Sequence, residues 1–508
     1  MAQYGPGSID PQPEGPSNVG GIECSQSESE SKKKDSTPSN VNSLLLAEPN
    51  TEVSPLIPAI NSSKDTSDGD DDPAMSSFTI VSTDHTAMAI TKCEKYILKP
   101  YKTCLGVIGW LPFGQETAGK VGQALLVILW TLAIMAAMVT QILSCFRRDM
   151  FVPAPASSIV PLIPNLTTIT TPTTHPPLTC NNQIISSLIL PDIVLLLAYF
   201  FGVYLFSRGE KDYLHNLANQ VFIKNSESGN ISYNKKLIGT LIVFFIVALV
   251  WLLLSLVIRI ISAVAGDLFD SKLVILWPTD ITIEGGIRLF LVIFSLCGFF
   301  TFDLVYLFSV LNYAAQAEMN VYLLWDIARL IKENKYEEMD AAIKDIYGSK
   351  RYFKALNRHT ATLTSLVLFD ILSLAVLGII FLEAVNGTII LEKEQYLKTL
   401  SVVAAGFNCI SWLVLLIVPF VQAVRVTNAG KHLKGVGLEV RTRPYVYENT
   451  SIIELDSLLS YLQTTRLRAC IFGVPIFPWM VYALLFTFTF TFLILFQVGT
   501  FNNVSVYI

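Results

Sequence analysis

The chain has 508 residues, of which 52% are hydrophobic and 15% charged, with a formal charge of −5 and a mean hydropathy of +0.50. A soluble protein of this length cannot hide so much apolar surface, so the composition argues against a soluble class and for membrane insertion. The negative balance is a poor guide to partners, because the acids gather near the N-terminus, and no stretch suggests nucleic-acid binding.

Residues 1–91 are rich in Ser, Pro, Asp and Gly, with charge runs at SESESKKKD and DGDDDP. Such a segment buries too little apolar surface to offset its ordering, so a disordered cytoplasmic tail is expected. It opens without a basic start followed by an apolar run, so no cleavable signal peptide is expected, and the first span directs insertion. Residues 92–508 read as a membrane domain. Seven apolar runs are long enough to span: Val121–Phe146, Ile184–Ser207, Leu237–Ile258, Leu289–Leu311, Thr360–Leu382, Thr399–Val424 and Ile471–Val498. The fold class expected is therefore all-α: a seven-transmembrane-helix protein with cytoplasmic helical extensions.

Charge orients the bundle, since Lys and Arg collect in cytoplasmic loops. With the N-terminus inside, the outer side keeps only Arg147, Arg148, Arg259, Lys272, Arg288, Lys393 and Lys398, and the other cations beyond residue 91 fall inside. The N-terminus is then cytoplasmic and the C-terminus extracellular. Sequons at Asn165, Asn386 and Asn503 fall outside and are candidate glycosylation sites in a plasma-membrane protein, whereas those at Asn61, Asn230 and Asn449 fall inside. Cys145 and Cys180 bracket the first outer loop and form either a disulfide or two free thiols.

The inner loops read as helical. In Glu318–Lys335, Val321, Leu324, Ile327, Leu330 and Ile331 fall on one stripe, so the fourth helix is expected to continue past the membrane. Glu337–Arg358 reads as a further helix. Ser451 and Glu454 fit a capping box, followed by a stripe of Ile452, Leu455, Leu458, Leu459 and Leu462. Such stripes must pack on something, within one subunit or in a hub where several subunits meet.

The last run, Ile471–Val498, carries no Asp, Glu, Lys or Arg, yet ends in the amide Gln497. A polar side chain deep in a spanning helix needs a partner or water. Seven helices with an inside N-terminus are the reverse of a G-protein-coupled receptor, and neither a DRY after the third helix nor an NPxxY at the end of the seventh is present. The chain instead resembles the insect gustatory and odorant receptor superfamily, including gustatory-receptor-like proteins of other animals. That family's last helix carries Thr-Tyr, five apolar residues, then Gln-Phe. Here Phe490-Thr491 stands for Thr-Tyr, residues 492–496 are the five apolar positions, Gln497 matches, and Val498 replaces Phe. The departures mark a divergent, non-insect-type member.

The resemblance implies a chemoreceptor that is a ligand-gated cation channel, a homo- or hetero-tetramer in membrane lipid with the last helix of each subunit lining one pore. It puts an apolar gate at Ile494 and Val498, with Thr487 and Thr491 continuing the line and Gln497 beside it. The alternative is that these are ordinary packed or lipid-facing residues. It implies a small-molecule ligand and cations as the permeant species; no cofactor or metal is expected, since the eight cysteines are scattered with no CxxC or His/Cys cluster of metal-ligand spacing.

Intramembrane charges mark the rest: Asp192, Arg259, Asp303 and Asp370. Asp192 and Arg259 are expected toward the outside, and Asp303 and Asp370 in the inner halves. Asp192 and Arg259 are either the polar end of a ligand pocket walled by Tyr199, Trp251, Asn408 and Trp412, or structural groups. Pro475 and Pro478 are expected where a cytoplasmic helix bends into the last span. The five histidines are isolated and match no catalytic pattern, so no enzyme is expected. A secondary transporter using Asp192, Asp303 and Asp370, or a seven-helix receptor without a pore, are the rival readings.

Overall fold

The computed structural model describes residues 88, 90–112, 117–144, 189–207, 211–227, 231–265, 273–275, 281–283, 286–336, 338–386, 395–442 and 450–504; for 117–118, 140–144, 211–212, 226–227, 231, 262–265, 273–275, 281–283, 288, 291, 375–386, 395–402, 404–405, 492 and 495–504 only the backbone is described. Most of the expected tail therefore lies outside the described residues, as do Asn165, Cys145 and Cys180. Ile90 and Thr91, assigned to the tail, are already helical.

A π-helical turn, Glu94–Leu98, leads into α1 (Lys99–Val107). Then come α2 (Thr117–Ser144), α3 (Leu190–Leu205), α4 (Lys211–Glu227) and α5 (Ile231–Ala265). Two short strands, β1 (Leu273–Ile275) and β2 (Ile281–Ile283), pair antiparallel before α6 (Gly286–Lys332). Next are α7 (Met339–Ala355), a π-turn Leu356–Thr360, α8 (Ala361–Asn386) and α9 (Gln395–Thr442). The chain closes with α10 (Ile452–Thr464), a hairpin of β3 (Cys470–Ile471) and β4 (Val474–Pro475), and α11 (Pro478–Val504).

Each of the seven expected runs carries one helix: α2, α3, α5, α6, α8, α9 and α11. Among the described residues, Gly119–Val139, Ser232–Ile261, Val292–Lys332 and Gly406–Thr442 are long and apolar enough to cross a membrane, and Leu190–Leu205 and Pro478–Thr491 are shorter apolar stretches. Leu125, Leu132, Ile246, Leu253, Ile287 and Phe290 point outward from α2, α5 and α6. Water would not tolerate so continuous an apolar exterior, so this is a membrane protein.

α6 is the core of the bundle. At 47 residues it is roughly 70 Å long, and it packs against α2, α3, α4, α5, α7, α8 and α9. From Phe299 onward nearly every residue is buried, including the expected stripe Val321, Leu324, Ile327, Leu330 and Ile331. The helix therefore continues well past Leu311, the expected end of its apolar run, and it is sheathed on all sides rather than on one. Small residues admit its neighbours: a Cβ on Gly298 would stand 2.5 Å from the Ala133 carbonyl oxygen and 2.6 Å from Ala137 Cβ of α2. It ends in a Schellman turn, with Asn334 at φ 52, Lys335 N–H on the Leu330 carbonyl at 3.1 Å and Asn334 N–H on that of Ile331 at 3.3 Å.

Three expectations are revised. The last helix starts at Pro478, not Ile471, because Phe472 (φ 54) and Gly473 (φ 72) turn residues 470–475 into a two-residue hairpin. Pro475 therefore lies in β4 and Pro478 opens α11, where a missing N–H costs nothing, so the joint is a hairpin rather than a bent helix. Ser451 does occupy the N-cap of α10, but its side chain makes no capping bond. Ile452 is 78% exposed, while Leu458, Leu459 and Leu462 are buried; the apolar stripe of α10 covers its second half only.

Candidate functional site

The site begins with the joint that carries the last helix. The Asn357 side chain, in the π-turn before α8, donates to the Arg468 carbonyl and accepts from Cys470 N–H, both at 2.9 Å. Ser365 Oγ accepts from Phe472 N–H at 2.8 Å, and Thr427 Oγ1 on α9 from Ala469 N–H at 3.3 Å. Lys431 and Arg468 stand over the Phe477 ring, at 5.5 and 5.6 Å from its centre. The backbone leading into α11 is thus bound to α8 and α9, its polar groups satisfied by side chains of those helices.

α11 itself leans on α8 and α9 alone among the elements with substantial contact. Met480, Val481, Leu484 and Phe488 form the half-buried flank. The opposite flank is bare: Trp479, Tyr482, Phe486, Phe490 and Leu493 project outward, with Tyr482 72% and Phe486 69% exposed. Thr487 is exposed and donates its hydroxyl to the Ala483 carbonyl at 2.8 Å, which leaves its oxygen lone pairs facing out. Thr491 is half-buried at the edge of the packed flank, and Ile494 is 44% exposed. The backbone of Gln497, Val498 and Asn503 belongs to α11, and that of Asn386 ends α8; their side chains lie outside the description.

The intramembrane charges form a second constellation. Arg259 on α5 pairs with Asp303 on α6 through Nε and Nη2, one to each carboxylate oxygen, and Ser255 Oγ donates to the same carboxylate at 2.8 Å. The guanidinium also faces the Phe299 ring at 5.6 Å. Asp303 therefore sits at the depth of Arg259, not in a separate inner half as the sequence suggested. Asp370 on α8 accepts the Tyr306 hydroxyl of α6. Tyr306 in turn packs edge-on against Trp412 of α9 at 5.1 Å, and Trp412 against Trp251 of α5 at 5.7 Å. Trp251 donates to the Ser411 carbonyl at 3.3 Å, while Trp412 Nε1 is buried with no hydrogen-bond acceptor among the described residues.

The residues proposed as pocket walls thus divide. Trp251 and Arg259 line one face of α5, Trp412 joins them from α9, and half-buried Asn408 lies one turn from Trp412. Tyr199 stands apart on α3, its hydroxyl donating to the Ile108 carbonyl at 3.0 Å, and Asp192 is buried in the first turn of that helix. Sequence reasoning missed Tyr306, although a Tyr three residues after an intramembrane Asp on the same helix face was a readable signal.

No protein-family profile matches the chain, and no curated protein sequence does. A solved structure does: the insect olfactory receptor OR5 from Machilis hrabei, in complex with eugenol, superposes with a TM-score of 0.51 at 11% identity, covering 79% of this chain and 97% of that one. The chain has the fold of an insect olfactory receptor. At such low identity the likeness is one of architecture, and the side chains that differ must be judged on their own contacts.

Proposed function

We propose that the chain is a gustatory-receptor-like chemoreceptor that works as a ligand-gated cation channel, with four copies arranged so that their α11 helices surround one pore. The observation that carries this reading is the bare flank of α11. A helix held on one side by its own protomer, with exposed aromatic groups on the other and the Thr487 line between the two, suits an assembly contact beside an ion path. In this reading the line Thr487, Thr491, Ile494 and Val498 faces the pore, hydroxyls inward and apolar residues at the outer end, where a narrow apolar ring closes by excluding water. Gln497 lies beside that ring.

The domain crosses the plasma membrane seven times, N-terminus inside, through α2, α3, α5, α6, α8, α9 and α11. Its ligand is a small, largely apolar molecule, and the neighbour solved with eugenol supports that class. Within the bundle, the Trp251–Tyr306–Trp412 cluster supplies aromatic walls and the buried Trp412 indole N–H a donor in search of an acceptor. Ligand opens the pore only if it binds the open arrangement better; α8 and α9 touch both this cluster and the hairpin, so they are the route. The carrier alternative is weakened because Asp303 is held by Arg259 and Asp370 by Tyr306.

Single-channel patch recording of the expressed protein tests the proposal. Unitary steps are expected. Substrate uptake without unitary steps would establish a carrier, and neither would establish a receptor without a pore.

A further inference from the structure

A cleft of about 630 Å³ opens where α5 begins and α6 and α9 approach their ends. Its depth in the bundle is fixed by ring contact: Tyr233 of α5 meets Tyr322 of α6 at 6.2 Å. Tyr233 stands just ahead of Lys235, Lys236 and the apolar body of α5, so the cleft lies at the level where that helix enters the membrane. Trp325, 41% exposed in its wall, and half-buried Tyr233 are residues that settle at a headgroup layer.

The walls are cationic and incompletely satisfied. Arg329 lies 5.9 Å from the centre of the Tyr233 ring and donates its Nε to Glu333 at 2.6 Å, but its Nη1 is buried with no acceptor among the described residues. Lys332 is half exposed and reaches Glu439 only at 3.4 Å. Arg425 enters from α9 with its guanidinium clamped by Glu318, which fixes its direction. His432 adds a further nitrogen, and Lys236 stands over the Tyr233 ring at 5.7 Å. One acid also lines the cleft, Asp326; it is buried, with the Asn225 amide on its carboxylate at 2.8 Å when that amide is oriented to satisfy both groups.

We infer that this cleft is a binding site for an anionic headgroup carrying phosphate monoesters. Arginine supplies forked N–H donors for phosphate and lysine a point charge. An aromatic floor at headgroup depth admits the polar end of a lipid from the adjoining leaflet, and anionic lipids populate the cytoplasmic leaflet. The inference rests on the membrane insertion of α5 and α6 and not on the channel reading, so either stands without the other.

The test is binding to the detergent-purified full chain, followed by Trp fluorescence, which Trp325 reports, and by thermal shift. Short-chain phosphatidylinositol bisphosphate is expected to bind saturably and short-chain phosphatidylcholine not to bind. Free inositol trisphosphate separates the two sources: weaker binding than the lipid assigns the site to a membrane headgroup, and equal binding assigns it to a soluble phosphate. Failure of both phosphorylated probes overturns the inference. Lys332→Gln is expected to weaken binding about fivefold, the worth of one basic residue near a membrane surface. Lys335→Gln, one turn away and outside the cleft, is expected to leave binding unchanged; equal loss in both variants would mean diffuse surface charge and would also overturn the inference. Arg329→Lys, which keeps the charge and loses the fork, is expected to fall between wild type and Arg329→Gln.

Discussion

Asp303 grips Arg259 through both carboxylate oxygens, with Ser255 adding a third hydrogen bond and Phe299 a ring face, all in the dry centre of the bundle. Removing one member leaves the other a buried charge that has lost its ion-pair partner. Asp303→Ala and Arg259→Ala are each expected to cost about 3–5 kcal/mol. The double variant Arg259→Met with Asp303→Leu, which removes both charges, is expected to be less destabilised than either single. Melting of purified protein, followed by size-exclusion chromatography, checks the order. A double variant worse than both singles would mean that the pair contributes net stability.

Gly298 admits α2 to within van der Waals contact of α6, and a Cβ there meets backbone rather than a movable side-chain tip. Gly298→Val is expected to lower the melting temperature by separating the two helices, with a cost of about 1–3 kcal/mol. Gly239→Ala, where a Cβ meets open space, serves as the control and is expected to be neutral or better.

The hairpin ahead of α11 depends on one side chain more than any other. Asn357→Ala removes two hydrogen bonds to its backbone and is expected to destabilise by about 1–3 kcal/mol. Gly473→Ala places a Cβ in the left-handed region at φ 72, at a cost of about 1–2 kcal/mol. If the hairpin transmits ligand binding to the pore, both variants shift the ligand dose–response at equal surface expression. An unchanged dose–response would make the hairpin an anchor only.

How much of this was legible beforehand depends on the kind of signal. Each of the seven apolar runs carries a helix, because burial in lipid or protein imposes the same composition along a run, whereas α1 and α4 fall outside those runs and were not read. The continuation of α6 beyond the membrane was readable from the stripe Val321–Ile331. The hairpin was not, since residues 470–477 are as apolar as the helix that follows, and only Gly473 hinted at a turn. Pairing was hardest: sequence named Arg259 and Asp303 but gave no means of bringing α5 and α6 to the depth at which they meet. The exposure of Ile452 likewise depends on where α7 and α9 end against α10, which periodicity does not encode.

Ile494 occupies the apolar end of the proposed pore line. Ile494→Ser is expected to raise ligand-independent current severalfold by letting water into the ring. Phe488, on the packed flank, is the contrast: Phe488→Ala is expected to reduce surface expression, at about 1–3 kcal/mol for a half-buried ring, without creating leak. Whole-cell current normalised to surface protein distinguishes the two.

Burial first, with the Arg358 charge adding, holds the His359 imidazole below its usual range. Its folded pKa lies below the unfolded one, so its contribution is intact above about pH 6.5 and is lost as pH falls toward the folded value. His359 adjoins Asn357 in the same π-turn, so acid is expected to loosen the hairpin anchorage. The melting temperature is expected to fall on mild acidification and to fall less in His359→Gln. An identical fall in that variant would assign the effect to other groups.

Positions 482, 486, 490 and 493 of the terminal helix project away from the rest of their own protomer, with Phe486 and Phe490 stacked only on each other. Drift at those four sites costs the isolated chain little, so in the proposed tetramer it is the neighbouring copy that disciplines them. Sister chains diverging from a common ancestor could change their choice of companion by a few replacements along this one edge, with the remainder of each molecule untouched.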